Sequence, residues 1–404
     1  MSGAPGGAAG AVAFDVEAVR RRFSSLGRGF RFLDAPGGSQ VPDEVGTAIA
    51  DALRDASGNL GAPYATGDRV AAILEDARAA AGRLLGAPAA EVAFGLNMTT
   101  LNFALSRVAG RELEAGDEIV VTRLDHDANV APWLELAADR ELVVRTVDVL
   151  PGELRLDLDD LRRQLGPRTR IVAFPWASNV VGTVIDAAEV CRIAHEAGAL
   201  AWVDAVHYAA HAPLQAEAIG ADVLLCSPYK FCGPHLGMAY VRRSVAESWR
   251  PYKARPGASE PFGRRFETGT PPFEALAGLI ACERYLVETG ALSPEAQAHE
   301  HALGERFLAG LPEAVEVYGP ATMEERVSTF LLNVAGVPAR EVALTLADRG
   351  YGVWHHDHYY ALGLDGRRGY DHEAVRLGFA HYNTADEVDG LLAELGRIAA
   401  AAGE

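Results

Sequence analysis

Two lysines serve the whole 404-residue chain, and one of them, Lys230, stands in the turn SPYKFCGPH between two apolar runs, DVLLCS (222–227) and GMAYVR (237–242). An ammonium is costly to desolvate, so a lysine held at the end of a buried strand is suited to chemistry as an amine. Other polar groups recur in the same kind of position, just after a short apolar run. NMTTLN (97–102) brings Met98 and Thr99 to the start of a helical stretch, LDHDANV brings His126, and ASNVVGT brings Asn179. VDAVH brings Asp204 and His207, and CSPYK adds Ser227 to Lys230. In an open parallel sheet, ligands lie beyond the carboxyl ends of the strands, so these residues are expected around one crevice.

Taken singly, each has an ordinary explanation: an aspartate ending a strand is a cap, a histidine after one is a loop residue. Together they form a set. Free N–H groups at a helix start, with the Thr99 hydroxyl, suit a phosphate. His126 offers a plane, Asp204 a carboxylate and Lys230 an amine. Pyridoxal phosphate needs all four: an amine to condense with its aldehyde, an acid to keep its ring nitrogen protonated, a plane against its ring, and donors for its phosphate.

The elements that must position these groups are legible as alternation. Short β-rich runs (118–124, 142–149, 170–177, 200–205, 222–227, 237–242) are separated by amphipathic segments such as AAEVCRIAHEAG, where Val190, Ile193 and Ala194 share a face and Gly198 ends the helix. Runs apolar on both faces and divided by helices predict an α/β fold with a mainly parallel, helix-covered sheet. After about residue 285 the texture changes to helix, VSTFLLNV, helix, VRLGFA and a terminal helix, which predicts a smaller α/β unit. The expected organisation is a tail and arm over 1–30, a large cofactor-binding domain over 31–285 and a small domain over 286–404.

Composition narrows the partners. The 37 basic and 55 acidic residues give a net charge of −18, which argues against nucleic acid or an anionic membrane. No run approaches the ~20 apolar residues of a membrane helix. The first cation is Arg20, so the small, apolar start lacks the basic region of a secretion signal, and a cytoplasmic protein with reduced thiols is expected.

Read in order, the motifs Thr-Thr, Asp-His-x-Ala-Asn, Ser-Asn-x-x-Gly-Thr, Asp-x-x-His, Ser-x-x-Lys-x-x-Gly-Pro, Glu-x-Gly-Thr-Pro and Arg-x-x-x-x-x-Tyr-Asn-Thr make the chain similar to class V aminotransferases from about Phe32 onward, and within them to the cysteine desulfurase-like branch. The resemblance implies a fold-type I enzyme with a seven-stranded type of sheet, pyridoxal phosphate as cofactor, an amino acid substrate, and a homodimer with shared active sites. It further implies that Lys230 holds the cofactor's aldehyde carbon and Asp204 its ring nitrogen, that His126 stacks on the ring, and that Asn179 and His207 bond its phenolate oxygen. Met98 (through its backbone), Thr99 and Ser227 are implied at the phosphate, Thr270 of ETGTPP at the partner's phosphate, and Arg376 at the substrate carboxylate.

Two departures from the family matter. Desulfurases carry a loop similar to Thr-Gly-His-His-Cys-Ala whose cysteine accepts sulfur, whereas this chain has GVWHHDHYYAL (352–362), with Tyr359 and Tyr360 in that region and no thiol. Cys232, two residues after Lys230, is expected in the core. Desulfurases also have histidine before the lysine, where Tyr229 stands here. His355, His356 and His358 are therefore expected, with Tyr360, at the substrate, one or two of the histidines pointing into the active site to relay protons and the others bonded to backbone or solvent, rather than binding a metal, because three ligands within four residues converge only when a loop folds around the ion.

Lys230 can still withdraw an α-proton without a sulfur acceptor, so the expected reaction is β-elimination from a cysteine conjugate by a carbon–sulfur lyase. Transamination, decarboxylation, epimerisation and desulfuration are the alternatives. A non-catalytic dimeric scaffold has no use for Lys230, Asp204 and Arg376 together. A nicotinamide enzyme is disfavoured because DAPGGSQ (34–40) lacks the G-x-G-x-x-G spacing.

Overall fold

The computed structural model describes residues 14–255, 257–367, 369 and 373–403, so residues 1–13 of the expected tail and arm (1–30) lie outside the described residues, and the rest includes a short helix, Val16–Arg20. The six apolar runs become β2 (Glu118–Thr122), β3 (Val143–Val147), β4 (Thr169–Pro175), β5 (Leu200–Asp204), β6 (Val223–Cys226) and β7 (Gly237–Val241), and a strand the sequence reading did not name, β1 (Val92–Gly95), precedes them. They form one seven-stranded sheet in the order β1-β7-β6-β5-β4-β2-β3. Strands β2 to β6 run parallel, and β7 is antiparallel to both of its neighbours.

Successive side chains of a strand point to opposite faces, so a strand covered on both sides feeds two cores. Val203 and Leu224 join one cluster with Val70, Val190 and Leu276 from the helices Ala65–Leu85, Ala187–Glu196 and Phe273–Thr289. Trp202 and Leu225 join the other, with Leu101, Leu105 and Trp133 from Met98–Ala109 and Ala131–Arg140. Truncating a fully buried residue such as Leu224 to alanine costs ~2–5 kcal/mol in such a setting. The helix expected from AAEVCRIAHEAG buries Val190, Ile193 and Ala194 and is capped by the Asp186 side chain, and Gly198 beyond it takes φ +75°.

The later part of the chain builds a second, antiparallel sheet from β8 (Val315–Tyr318), β9 (Thr329–Val334), β10 (Trp354–His356) and β11 (Ala374–Gly378), in the order β10-β11-β9-β8. A third cluster, including Phe307, Phe330, Leu346, Phe379 and Leu391, packs its helices against it. Arg31–Phe32 pairs in parallel with Tyr351–Gly352, and Leu33 joins this same cluster. The sequence reading found β9 and β11 but not β8 or β10, because VEVY and WHH are too short and too polar to stand out. The terminal helix starts at a reciprocal cap between Thr384 and Glu387. Among the described residues, no helix is long and apolar enough to cross a membrane.

Candidate active site

A cavity of about 670 Å³ opens at the carboxyl ends of the parallel strands. Met98, Thr99, His126, Asn179, Asp204, His207, Ser227, Lys230, Tyr360 and Arg376 all line it, while Thr270, His355, His356 and His358 do not. Residues from Met98 to Lys230 thus meet in one place because the large sheet aligns its strand ends, and the second sheet and its loop bring Tyr360 and Arg376 to them.

Lys230 closes a single turn, Pro228–Lys230, inside the connection from β6 to β7. Its Nζ donates to the carbonyls of Pro36 and, at 3.1 Å, Gly37, and lies 4.9 Å from the Tyr229 ring centroid. Burial, aided by the nearby Arg376 charge, pulls its pKa down to about 7, so the amine is available near neutral pH. Asp204 ends β5, where its Oδ1 accepts the Val206 N–H at 2.9 Å and burial pushes its pKa up to about 6. The anion end of the cavity is the start of Met98–Ala109. The Met98 N–H donates to Ser227 Oγ at 2.9 Å, and Asn97 caps the Thr100 N–H. Any side chain at Gly237 would put its Cβ 2.5 Å from the Asn97 carbonyl, so only glycine lets β7 pass this close.

The two ring histidines are neutral. Burial drives His126 down to about 4, with Lys230 and Arg376 adding to the effect, and its Nδ1 accepts the Ala128 N–H at 3.0 Å. Burial likewise depresses His207, whose Nε2 lies 2.9 Å from Thr329 Oγ1.

Arg376 sits in the middle of β11, 2% exposed. Its Nη1 donates to the Asn179 carbonyl at 3.0 Å, and its Nη2 lies 3.3 Å from Asp34 Oδ1. Its guanidinium carbon is 4.4 Å from the Tyr359 ring centroid and 5.3 Å from that of Trp354. Tyr359, which sequence reasoning missed as a site residue, holds this arrangement together. It is 1% exposed, its hydroxyl accepts the Arg376 backbone N–H at 2.9 Å and lies 2.8 Å from the carbonyls of both Trp354 and Ala374, and its carbonyl accepts Asn179 Nδ2 at 2.9 Å. Asp34, Trp354 and His235 were missed as well. Nothing in the sequence marks them beyond the place of Trp354 and Tyr359 within the divergent loop.

The histidines of that loop turn elsewhere. His355 Nδ1 pairs with Glu373 at 3.0 Å, and the Nδ1 atoms of His356 and His358 accept backbone N–H groups of the loop itself. The expected proton relay from these three has no geometry in the cavity. One ligand atom each of His356, Asp357 and His358 nevertheless comes within 4.8 Å of the others, a closer convergence than the spacing led us to expect. Thr270 is exposed outside the cavity of its own chain. The four cysteines, Cys191, Cys226, Cys232 and Cys282, are free, buried thiols and none lines the cavity. Cys232 belongs to the core, with its pKa pushed up to about 12 by burial.

Buried polar atoms are nearly always paired, and here His207 Nδ1, Asn179 Oδ1 and Arg376 Nε are buried without a partner. Such a cluster beside a helix start, a carboxyl group and a neutralised lysine fits pyridoxal phosphate. Met98, Thr99 and Ser227 would hold its phosphate, Asp204 its ring nitrogen, His207 its phenolate oxygen and Lys230 its aldehyde carbon. Asn179 already donates to Tyr359, and its leftover atom is an acceptor, so His207 is the residue whose free nitrogen suits the phenolate.

Comparison with known proteins agrees with this geometry. The family described as aminotransferase class V matches residues 31–391. A probable cysteine desulfurase of Mycobacterium leprae is 34% identical, over 94% of this chain and 95% of its own length. An aminotransferase-like protein of Gibberella zeae is 30% identical, over 95% and 98%. Among solved structures, the apo cysteine desulfurase of Thermococcus onnurineus superposes with a TM-score of 0.89 at 26% identity, over 95% of this chain and 98% of that one.

Proposed function

The chain belongs to the class V aminotransferase family and is a pyridoxal phosphate-dependent enzyme, and from that premise we propose that it is a carbon–sulfur lyase acting by β-elimination on a cysteine conjugate. The observation that carries this reading is the pairing of a complete proton-abstracting site with the absence of any cavity thiol: Lys230 and Arg376 line the cavity, and all four cysteines are buried in the core.

When bound, the cofactor supplies an electron-withdrawing ring that stabilises negative charge at the substrate's Cα. Arg376, with its Nε–H unpaired and its face supported by Tyr359, offers a hydrogen-bonding edge to the substrate carboxylate. That grip orients the Cα–H bond for removal. Lys230 Nζ, whose amine is neutral above about pH 7, takes the α-proton. Asp204 and the helix start hold the other end of the site still.

Loss of the Cβ–S bond releases a thiol, and water converts the remaining enamine into a keto acid and ammonium, so one conjugate and one water give one thiol, one keto acid and one ammonium. Desulfuration by the relatives' names would instead require a cysteine to take sulfur, and Cys232 and its fellows are out of reach. The test is a panel of amino acids and S-conjugates, with thiol, keto acid and ammonium measured together. Equimolar release supports the lyase. An amino acid product with a racemised or decarboxylated carbon, or amino-group transfer to an added keto acid, would contradict it.

A further inference from the structure

The cavity extends beyond the groups assigned to cofactor and carboxylate, and the chemistry of the remaining wall is one-sided. It is formed by Gly37, Tyr229, His235, Trp354 and Tyr360. Among the described lining residues Asp204 is the only carboxylate, and Lys230 and Arg376 are the only lysine or arginine; all three lie at the floor or the clamp. Among the described lining residues the wall itself contributes no acid, lysine or arginine, and the nearest such charges are Lys230 Nζ, 4.9 Å from the Tyr229 ring centroid, and the Arg376 guanidinium, 5.3 Å from that of Trp354.

The aromatic groups of this wall are held rather than loose. Tyr229 stacks on His235 with ring centroids 5.0 Å apart at 14°, and a Cβ at Gly38 would come within 3.3 Å of the Tyr229 ring. Trp354 meets Tyr359 edge-on at 5.4 Å and 86°, and Tyr360 stacks on His126 at 5.3 Å and 25°. Tyr359 and Tyr360 take φ +48° and +59°, a backbone conformation that costs a non-glycine residue ~1–2 kcal/mol and persists only where the surroundings hold it. The hold is visible. The Tyr360 N–H donates to His358 Nδ1 at 2.9 Å, and its carbonyl accepts the Asp127 N–H at 2.6 Å. Even so, Trp354 is 38% and Tyr360 51% exposed, large aromatic surfaces kept uncovered at the mouth of a buried site.

We infer, resting on the lyase reading, that this wall is the subsite for the group that departs with sulfur, and that it takes uncharged, flat or bulky apolar substituents. A charged substituent finds no carboxylate, lysine or arginine on the wall to offset its desolvation. A hydrogen or a methyl leaves the exposed parts of Trp354 and Tyr360 in water, so free cysteine gains nothing from them. Because the rings are already fixed, an aromatic substituent binds without the cost of ordering them.

The test uses the cofactor-loaded enzyme and three analogues without an α-hydrogen, so that none turns over: α-methyl-S-benzylcysteine, α-methyl-S-methylcysteine and α-methyl-S-carboxymethylcysteine. Affinity is read from the cofactor's absorbance and, independently, from the ligand-induced rise in Tm. The benzyl analogue is expected to bind at least about tenfold more tightly than the methyl one, and the carboxymethyl analogue more weakly than either. In Trp354→Ala and Tyr360→Ala the ratio of benzyl to methyl affinity is expected to fall below about threefold, whatever happens to the affinity of the methyl analogue itself. Equal affinities in the unaltered enzyme, or an advantage undiminished in both variants, would overturn the subsite. The order in the unaltered enzyme decides the matter if a variant fails to fold. If the benzyl analogue binds best but S-benzylcysteine yields no thiol, the lyase reading falls and the subsite stands; if thiol is released but the analogues bind alike, the reverse holds.

Discussion

The floor and the cap of the cavity are built on different principles. The floor is backbone-determined: Asp204, Ser227, Lys230 and the start of Met98–Ala109 sit where strands end, and their positions follow from the sheet. The cap, 354–360, is side-chain-determined: a buried tyrosine, stacked rings and two left-handed residues fix it against β11 and against the segment after β2. A floor made of strand ends can serve many reactions, since it holds whatever cofactor the sheet admits. The cap decides what reaches that cofactor, and here it contributes aromatic surface in place of a thiol.

If the division is right, changes to the floor should abolish chemistry and changes to the cap should alter recognition. The largest effect is expected from Lys230→Ala, which should lose turnover by more than about a thousandfold and lose the covalently held cofactor. Borohydride reduction followed by peptide mapping should label Lys230. Labelling of Lys253, the other lysine, whose Nζ donates to backbone carbonyls at Ala258 and Arg264, would break the assignment.

The depressed pKa of Lys230 gives the same residue a signature in the cofactor-free protein. Only the neutral amine reacts with an acylating reagent. With a pKa of about 7 the neutral fraction rises as pH rises through 7 and is nearly complete by ~8, whereas an ordinary lysine stays protonated until about 10.4. Acylation of Lys230 should therefore level off above ~pH 8, and a rate still climbing at pH 9 would show an ordinary lysine. Asp204→Ala is next in size, with an expected loss of about a hundredfold in kcat and the cofactor retained; near-normal turnover would remove Asp204 from the ring nitrogen.

At the cap, Arg376→Lys keeps the charge and loses the planar fork, and kcat/KM for amino acids should fall by at least tenfold, ~1.4 kcal/mol. Tyr359→Phe removes the hydroxyl that accepts the Arg376 N–H and leaves buried backbone groups unpaired, at a cost of ~1–3 kcal/mol. We expect a lower Tm together with a roughly tenfold loss in kcat/KM, mostly in KM. A fall in Tm with unchanged kinetics would make Tyr359 purely structural and blur the division between floor and cap. The smallest effect is expected of Cys232→Ser, with turnover staying within about tenfold, because that thiol lies in the core.

The same division explains what could be read from the amino acids. The strands of the large sheet are apolar on both faces, and the polar residue that follows each one is conspicuous, so Asp204, His207, Ser227 and Lys230 were legible in place. Asn179 was legible in place, but its partner was not, because its bond to the Tyr359 carbonyl spans 180 positions. The cap carried little signal. β10 is three residues long, Tyr359 is buried and Tyr360 exposed although they are adjacent and share a left-handed φ, and the three nearby histidines looked functional by type although their Nδ1 atoms are spent on Glu373 and on the loop's own backbone. Side-chain stacking between segments distant in sequence has no period to detect.

The account's central claim is that sulfur leaves with its substituent and never rests on the protein. The direct measurement is the intact mass of the cofactor-loaded enzyme after incubation with free cysteine and, separately, with S-benzylcysteine, alongside cyanolysis of the same samples. An unmodified mass, no cyanolysable sulfur, and benzyl thiol matched by keto acid are the expected results. A protein heavier by one sulfur atom, with alanine as product, would contradict the claim and make the chain a desulfurase with an acceptor other than a cavity cysteine.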